Sequence, residues 1–298
     1  MCDVNIATGE VTQYEFDVRL SGRIPWRLIR TYSSAKPQRG IAGAGWSLNL
    51  GTYLQITGTT AELFDEGKSV VKVPLPVWGE RIKDDASGFE IAREEARLTL
   101  TDKSLRRYEF PDRELLPARI PCAARYDAYG NALQFEYDDR GRLSLLIDSY
   151  GRRISFHYDR ASRLVAVTLP RVESSAEPWH LIRYEYDDHD DLVAVLDPEG
   201  HATRYEYQEH LLTRVTNRCG RDLYYQYDRQ KRCVRTWFTG GVWDRQLQYD
   251  QHTSRVLVTD PYGYRTLYRH NGKGNVVAET DALGRSREDI LDEQGRVL

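Results

Sequence analysis

The chain has 298 residues, a formal net charge of −3 and 29% charged residues, so it is neither strongly basic nor strongly acidic. This length fits about two ordinary domains or one long repeat array. The near-neutral charge excludes a global electrostatic attraction to nucleic acid or to an anionic membrane surface. No apolar run approaches the ~20 residues of a spanning helix, and the first residues lack the basic and apolar regions of a signal peptide. We therefore expect no nucleic-acid partner and no membrane insertion by this segment.

Residues 1–58 do not repeat, and we interpret them as a β region of short strands joined by polar and glycine-rich turns. The predicted strands are Val11–Leu20, Pro25–Tyr32 and Trp46–Ile56. The glycine-rich stretch Gly40–Gly45 is predicted to be a turn. It lacks the Lys-Ser/Thr pair and the following helix of a phosphate-binding loop.

Residues 59–120 keep a looser β pattern, which we interpret as an irregular linking region. Turn signals occur at Asp65-Glu66-Gly67 and at Ser87-Gly88. The segment Glu90–Arg97 has helical propensity but is short, and the residues after it alternate like a strand, so its structure stays undecided. Prolines suit strand ends or edges because they cannot donate to a ladder, and they stand at positions 74, 76, 111, 117 and 121.

Residues 121–298 repeat one unit at a spacing close to 21 residues. Asp/Asn-x-x-Gly turns begin at Asp127, Asp148, Asp197, Asn217, Asp260 and Asp281. The tenth residue after each turn start occupies one strand position, filled by Tyr137, Tyr158, Tyr207, Tyr227, His270 and Leu291. A constant offset indicates one supersecondary unit copied many times. We predict an all-β fold of repetitive antiparallel β-hairpins forming a curved single-layer sheet, part of a spiral or cocoon.

Each unit has a structural logic in its turn and its strand. The Asp caps its own turn, and the Gly three residues later accepts the left-handed backbone that closes it. The candidate structural residues of the repeat are Asp127, Gly130, Tyr137, Asp148, Gly151, Tyr158, Tyr186, Asp197, Gly200, Tyr207, Tyr227, Tyr249, Asp260 and Gly263. A second turn follows each Tyr-Asp and is less regular, with Gly141, Gly295, Ser162, Asp190 and Lys231 at its fourth position. Two insertions, Arg171–His180 and Phe238–Asp244, are predicted to be protruding loops.

The outgoing strands alternate between apolar and polar residues, as expected of strands with two different faces. One predicted face carries Phe135, Tyr137, Phe156, Tyr158, Tyr184, Tyr186, Tyr205 and Tyr207. The opposite face carries Glu136, His157, Glu185, Glu206, Gln226 and Gln248. Hairpins in register would stack these into an aromatic stripe backed by a polar one.

No catalytic, cofactor-binding or metal-binding pattern is recognisable, and we expect the segment not to be an enzyme. The Asp-rich turns lack the dense oxygen ligands of a calcium loop. There is no HExxH or GxSxG motif, and the cysteines show no metal-ligand spacing. The four cysteines are expected to be reduced thiols, although a bridge between Cys219 and Cys233 is not excluded by the sequence.

The turn and strand pattern Asp-x-x-Gly-x-x-x-x-x-x-Tyr-Asp resembles the YD repeats of bacterial Rhs proteins, of insecticidal toxin-complex shells and of teneurins. The stretches VNIATGE (4–10), IPWRLIRTYSS (24–34), GAGWSLNL (43–50) and LFDEGKSVVKVPLPVWGE (63–80) resemble the region that opens the core of bacterial Rhs proteins. The match covers essentially the whole chain. It implies part of a β-cocoon that encloses a C-terminal toxin and is commonly delivered by type VI secretion.

The same resemblance implies the partners and the location. The partners would be the remaining Rhs shell, the C-terminal toxin, and the type VI spike (VgrG/PAAR) and chaperone components. The segment would reside in the bacterial cytoplasm before export and then reach a target cell. The turns at 197–200 and 260–263 resemble part of the family's cleavage motif but lack its continuation, so we assign them no catalytic role. The chain ends three residues into a predicted return strand, and we expect more repeats or a partner to follow.

Two other functions stay open at this stage. A cell-surface or glycan-binding module is suggested by the teneurin-like relatives, and a catalytic domain with an unrecognised site is the weaker alternative.

Overall fold

The computed structural model describes residues 2–36, 38–65, 67–94, 96–112, 118–170, 178–250 and 252–292. Within these ranges the protein consists of thirty β-strands and one short 3-10 turn at Thr239–Gly241, with no α-helix. No helix in the described ranges has the length and apolar composition needed to cross a membrane.

The strands divide into those before the repeats and those within them. Residues 1–58 contain β1 (Cys2–Val4), β2 (Val11–Leu20), β3 (Trp26–Ser33), β4 (Arg39–Gly40), β5 (Gly43–Ala44), β6 (Trp46–Leu48) and β7 (Tyr53–Thr57). The following region contains β8 (Thr60–Asp65), β9 (Lys68–Pro74), β10 (Arg81–Asp84), β11 (Phe89–Glu94), β12 (Arg97–Thr101), β13 (Arg107–Pro111) and β14 (Arg119–Pro121).

The repeat region alternates outgoing and return strands. It contains β15 (Ala124–Tyr126), β16 (Ala132–Tyr137), β17 (Leu143–Ile147), β18 (Arg153–Tyr158), β19 (Leu164–Leu169), β20 (Trp179–Tyr186), β21 (Leu192–Leu196), β22 (Ala202–Gln208), β23 (Leu211–Thr216), β24 (Asp222–Tyr227), β25 (Cys233–Phe238), β26 (Val242–Asp250), β27 (Arg255–Thr259), β28 (Arg265–His270), β29 (Val276–Thr280) and β30 (Ser286–Glu288).

The main sheet is one antiparallel ladder of twenty strands. Its order is β10 to β13 and then β15 to β30, so apart from β14 each strand pairs with its neighbours in the chain. The first and last strands of this order differ, so the ladder is open rather than closed into a barrel. The predicted all-β, hairpin-by-hairpin architecture is confirmed.

Three smaller sheets come from the region before the repeats. β1, β2, β3 and β6 form a four-stranded sheet in that order, and β4 pairs with β5. β14, β7, β8 and β9 form a second four-stranded sheet. Its strands contribute Leu54, Leu63 and Val73 to the same hydrophobic cluster as Leu98 and Phe110 of the main ladder. At this point a second sheet packs on the ladder, because a ladder strand with one apolar face must cover that face.

The chain folds into two compact units. One contains residues 1–15, 30–47 and 184–298, and the other contains residues 16–29 and 48–183. We refer to them as the late-repeat unit and the early-repeat unit. The predicted division at residues 58 and 120 stays a prediction.

Most strand boundaries before the repeats agree with the sequence, but the predicted strand Trp46–Ile56 is wrong. β6 ends at Leu48 and β7 begins at Tyr53, and the two belong to different sheets. The break has two causes: Asn49 Oδ1 accepts the amide of Ile29 at 2.6 Å, and Gly51 adopts φ +106°. The polar side chain and the glycine both interrupt the extended backbone.

The undecided segment Glu90–Arg97 is β structure. β11 covers it up to Glu94, Glu95 lies outside the described residues, and β12 begins at Arg97. Ile91 is fully buried. Burial on the ladder therefore overrides the helical propensity of this stretch.

The predicted turns and prolines fall where strands end. Gly67 and Gly88 have positive φ, although Glu66 between Asp65 and Gly67 lies outside the described residues. Pro74, Pro111 and Pro121 are each the last residue of a strand, and Pro117 lies outside the described residues.

One of the two predicted loops lies mostly outside the described residues, and the prediction of the other is wrong. Residues 171–177 lie outside the described residues, while Trp179 and His180 already belong to β20. The stretch Phe238–Asp244 is not a protruding loop: Phe238 pairs with Val242 across a tight 3-10 turn, and β26 continues from there. The extra residues therefore lengthen a hairpin.

Candidate functional surface

The repeated tyrosine closes a gap in the backbone ladder. Each Tyr hydroxyl donates to a backbone carbonyl about fifteen residues earlier in the chain, at 2.8–2.9 Å. The five pairs are Tyr137 to Cys122, Tyr158 to Leu143, Tyr207 to Leu192, Tyr227 to Leu212 and Tyr249 to Cys233. Burial raises the pKa of these hydroxyls above the ordinary tyrosine value.

The carbonyl that receives this bond lies just outside the regular pairing. The β17–β18 ladder begins at the pair Leu145–Ser155, two residues beyond Leu143, whose carbonyl takes the Tyr158 hydroxyl. A buried carbonyl without a partner is costly, so the phenol supplies the bond that the backbone does not make. This requirement explains tyrosine rather than phenylalanine at this position.

Where the repeat lacks tyrosine, the backbone supplies the equivalent bond. His270 occupies the tyrosine position of β28, and its amide donates to the carbonyl of Ser254 at 3.0 Å. The β27–β28 ladder is continuous from Arg255–Arg269 to Thr259–Arg265, so it leaves no gap to fill. The substitution at His270 thus coincides with a change in strand pairing. Leu291, the last predicted strand position, follows β30.

A β-bulge accompanies most of the tyrosines. The register shifts between Glu136 and Tyr137 and at the corresponding positions of β18, β22 and β24. At the first of these, Tyr137 pairs with Leu143 while Glu136 pairs with Leu145, which leaves Ser144 as the extra residue. A bulge bends the strand locally and increases its twist. The extra residue Ser144 adjoins Leu143, whose carbonyl accepts the hydroxyl of the next tyrosine, Tyr158.

The Asp/Asn turns share one hydrogen-bond pattern. The side-chain oxygen of the first residue accepts the amides two and four residues later, as at Asp148, where both distances are 2.9 Å. The amide of Gly151 donates back to the carbonyl of Asp148 at 2.9 Å. The same pattern occurs at Asp127, Asp197, Asn217, Asp260 and Asp281.

The second turn of each unit has the same geometry, although its sequence is less regular. The fourth residue of these turns has positive φ whether it is Gly141 (74°), Ser162 (67°), Asp190 (69°) or Lys231 (63°). Three non-glycine residues thus occupy a left-handed conformation that costs roughly 1–2 kcal/mol each. Gly295 lies outside the described residues.

An arginine at the fifth turn position completes several turns, and it was not identified from the sequence. Its Nε donates to the second carboxylate oxygen of the turn aspartate at 2.6–2.8 Å. The residues are Arg142, Arg152, Arg163, Arg232 and Arg285. The Arg142 side chain, together with turn amides, lowers the pKa of Asp138. Asp-x-x-x-Arg spacing is the signal that would have revealed the pair.

The two predicted faces of the outgoing strands differ in burial. On the tyrosine face, which carries the phenols, Phe156, Tyr184 and Tyr205 are buried, and Tyr186 lies on the same face half-buried. The polar face is exposed at Glu136, His157, Glu185, Glu206, Gln226 and Gln248. The tyrosine face is therefore packed against other parts of the protein, and the polar face is exposed to solvent.

In the late-repeat unit, segments from before the repeats cover the tyrosine face. Trp46 Nε1 donates to the Tyr207 hydroxyl at 2.8 Å, and the Trp46 ring meets the Tyr205 ring edge-on at 5.3 Å. Arg30, only 1% exposed, stacks over Trp46 at 4.1 Å and donates to the Tyr205 hydroxyl at 3.0 Å. Tyr207 thus has two roles, since it bonds both its own ladder and the covering segment.

A second contact fixes the covering segment at the end of β22. The Tyr32 hydroxyl donates to the carbonyl of His210 and accepts the amide of Leu212. Gly45 has φ +72°, and a side chain there would meet the Tyr32 ring at 2.6 Å. The predicted glycine turn is therefore required by a close approach to an aromatic ring.

The early-repeat unit has an equivalent covering contact. The Trp26 ring packs edge-on against Phe156 with centroids 5.8 Å apart, and the amide of Ile24 donates to Ser149 Oγ. Arg152 also donates to the carbonyl of Ser21. In each unit, residues that precede the repeats therefore rest on repeat strands.

The hairpin turns of the late-repeat unit form two different rims. The turns on one side span 197–201, 217–221, 238–243, 260–264 and 281–285, and the last three expose large apolar side chains: Tyr262 is 85% exposed, Leu283 78% and Trp243 63%. The turns on the other side span 187–191, 208–211, 228–232 and 271–275, and their described residues include no exposed large hydrophobic side chain. We call these the apolar rim and the polar rim.

Titratable side chains show no arrangement typical of catalysis in the described residues. Asp197, Glu199 and His201 bring ligand atoms within 4.8 Å of one another, but Arg218 already pairs with the Asp197 carboxylate at 3.2 Å. His210 Nδ1 lies 2.8 Å from Asp191 Oδ1, beside a turn.

The cysteines that the structure describes in full are unpaired. Cys122, Cys219 and Cys233 are free thiols, so the bridge left open by the sequence between Cys219 and Cys233 is not formed. Burial raises the pKa of Cys122 to about 12 and that of Cys233 to about 11, which leaves both thiols protonated.

The family comparisons divide the chain into two parts. Residues 2–72 match a domain of unknown function, DUF6531, and residues 127–288 match the teneurin YD-shell model.

Curated relatives are similar over nearly the whole chain. The probable deoxyribonuclease RhsB of Dickeya dadantii (strain 3937) is 26% identical over 331 aligned residues, covering 99% of this chain and 22% of the relative. The double-stranded DNA deaminase toxin A of Burkholderia cenocepacia (strain H111) is 25% identical, covering 73% of this chain and 16% of the relative. The chain therefore spans about a fifth of the length of these relatives.

Among solved structures, TcdB2-TccC3-Cdc42 aligns at a TM-score of 0.45 and 12% identity, covering 98% of this chain and 16% of that chain.

The YD-shell match covers more than half of the chain and includes the turns, bulges and phenol bonds described above. The family match confirms the resemblance found in the sequence: the chain belongs to the teneurin YD-shell family of Rhs/YD-repeat proteins.

Proposed function

We propose that this chain is a structural segment of an Rhs toxin shell, and that its ladder forms part of a cocoon wall around a C-terminal toxin. The observation that carries the proposal is the twenty-strand antiparallel ladder, whose outgoing strands from β16 to β24 have one mainly buried and one exposed face. Such a wall isolates its contents sterically and leaves few free strand edges. The role needs no catalytic group.

The relatives support this role and also limit it. Their names describe a deoxyribonuclease and a DNA deaminase, and this chain aligns with about a fifth of each. We assign the catalytic activity of such proteins to regions outside the matched segment. In this proposal the described part of the chain forms part of the container wall and supplies no catalytic residue.

The proposed partners follow from the container role. They are the remaining repeats of the same shell, the enclosed toxin, and the type VI spike (VgrG/PAAR) and chaperone that would export them. The shell would assemble in the bacterial cytoplasm and protect the producing cell before delivery to a target cell.

Limited proteolysis of the intact natural polypeptide tests the proposal. Toxin enclosed by the wall should be cleaved at least about tenfold more slowly than the isolated toxin domain. The matched control is the same toxin fused to an unrelated soluble protein, which should be cleaved at the rate of the isolated domain. Equal cleavage in the native polypeptide and in the control would contradict encapsulation.

A further inference from the structure

The apolar rim of the late-repeat unit borders a groove of about 1210 Å³ on the tyrosine face. Its walls include the aromatic side chains of Tyr225, Phe238, Trp243 and Tyr268. This volume exceeds the roughly 300–1,000 Å³ typical of small-ligand pockets. The groove therefore suits a segment of polymer better than a metabolite.

Two arginines line this groove without a bond to a turn carboxylate of the kind that the arginines of other turns make. Arg221 is the fifth residue of a turn, where the equivalent arginines bind the turn aspartate. Here the turn begins with Asn217, whose neutral amide offers no carboxylate. Arg245 stands beside Trp243, with its guanidinium carbon 5.9 Å from the ring. Across the described residues, neither arginine forms an ion pair.

The remaining charges of the groove restrict what can bind. Arg218 also lines it but is paired with Asp197, and the acidic residues Glu15 and Asp260 line it as well. A polyanion with one charge on every unit, such as single-stranded nucleic acid, would meet those two carboxylates. A ligand with separated carboxylates can place them at Arg221 and Arg245 and keep apolar groups elsewhere.

We propose that this groove binds an extended peptide segment in which Asp or Glu alternates with large apolar side chains. Guanidinium groups bind carboxylates through paired, charge-assisted hydrogen bonds. The aromatic walls would take the apolar side chains, and the exposed Trp243 at the rim adds a stacking surface. In an extended segment, alternation places the carboxylates along one side and the apolar side chains along the other. This inference goes beyond the shell role and does not depend on it.

Fluorescence anisotropy with the full chain tests the proposal. The probe is a labelled peptide of about nine residues with alternating Asp and Leu. We expect saturable binding that weakens at least about tenfold when every Asp of the peptide is replaced by Asn, since each carboxylate loses a charge-assisted bond. This comparison uses the unaltered protein, so no variant needs to fold.

Variants then locate the site. Arg221→Glu and Arg245→Glu should each weaken the Asp-Leu peptide about tenfold or more, and both side chains are exposed, which favours normal folding. The matched control is Arg229→Glu, an exposed arginine on the polar rim, which should change the affinity less than about twofold. Three results would overturn the proposal: no binding of the Asp-Leu peptide, equal binding of the Asn peptide, or tighter binding of a single-stranded DNA oligomer of equal charge.

Discussion

Replacing Tyr207 by Phe removes one hydroxyl that makes two hydrogen bonds. The hydroxyl donates to the carbonyl of Leu192 at 2.9 Å and accepts from Trp46 Nε1 at 2.8 Å. A net hydrogen bond is worth about 0.5–1.5 kcal/mol, and a buried group left without a partner costs about 1–3 kcal/mol. We expect Tyr207→Phe to destabilise the protein by about 2–4 kcal/mol.

Tyr158→Phe is the matched control because its hydroxyl makes the same ladder bond, to Leu143, with no covering tryptophan bonded to it. We expect a loss of about 1–2 kcal/mol. Tyr129→Phe, at a turn tip that is 91% exposed, should be neutral within about 0.5 kcal/mol.

Urea unfolding followed by far-ultraviolet circular dichroism measures these differences through the midpoint and slope. The two compact units make more than one transition a normal outcome, and the variants are then compared transition by transition. If Tyr207→Phe is no more destabilising than Tyr158→Phe, the dual role of the Tyr207 hydroxyl is refuted. If neither differs from Tyr129→Phe, the phenol-to-carbonyl bond does not hold the ladder together.

Three further predictions concern the turns, the phenols and the thiols. Gly151→Ala should cost about 1–2 kcal/mol of unfolding free energy because φ is +76°; nothing lies within 4 Å of an added Cβ, so the cost comes from the backbone alone. Lys231, whose φ is 63°, should show the reverse: Lys231→Gly should stabilise the protein by about 0.5–1 kcal/mol in the same unfolding assay. Because burial raises the pKa of the phenols, they lose their protons at lower pH in the unfolded state than in the folded state. The free energy of unfolding should therefore keep its full phenol contribution below about pH 10 and fall above it. Unchanged unfolding midpoints from about pH 9 to about pH 11.5 would contradict this. An alkylating reagent should label Cys219 in the native protein and Cys122 only after unfolding, as peptide mass spectrometry would show; native labelling of Cys122 would contradict its burial.

The sequence predicted the repeat because its signals are local. Asp148 caps its own turn, and Gly151 adopts the left-handed conformation that closes it. The alternation of apolar and polar residues places Phe156 and His157 on opposite faces of the strand. Each of these features depends only on residues that are close in the chain. The same locality explains why β2, bounded by turn residues, was predicted to the residue.

The parts that the sequence did not predict depend on contacts distant in the chain. The sequence shows that tyrosine recurs at one strand position, but it does not show that the Tyr207 hydroxyl bonds to the carbonyl of Leu192. Arg30 is an unremarkable strand residue in the sequence, yet it is buried against Trp46 and Tyr205. The split of Trp46–Ile56 between two sheets similarly follows from which neighbour each half packs against.

Site-specific photo-crosslinking in the intact natural polypeptide tests the shell account most directly. We propose that the tyrosine face is the inner side of this wall, so a photoreactive phenylalanine analogue at Tyr268, on that face, should crosslink to the C-terminal toxin. The same group at Gln248, exposed on the polar face, should not crosslink to it. No crosslink to the toxin from either position, or equal crosslinking from both, would contradict a wall with the toxin on one side.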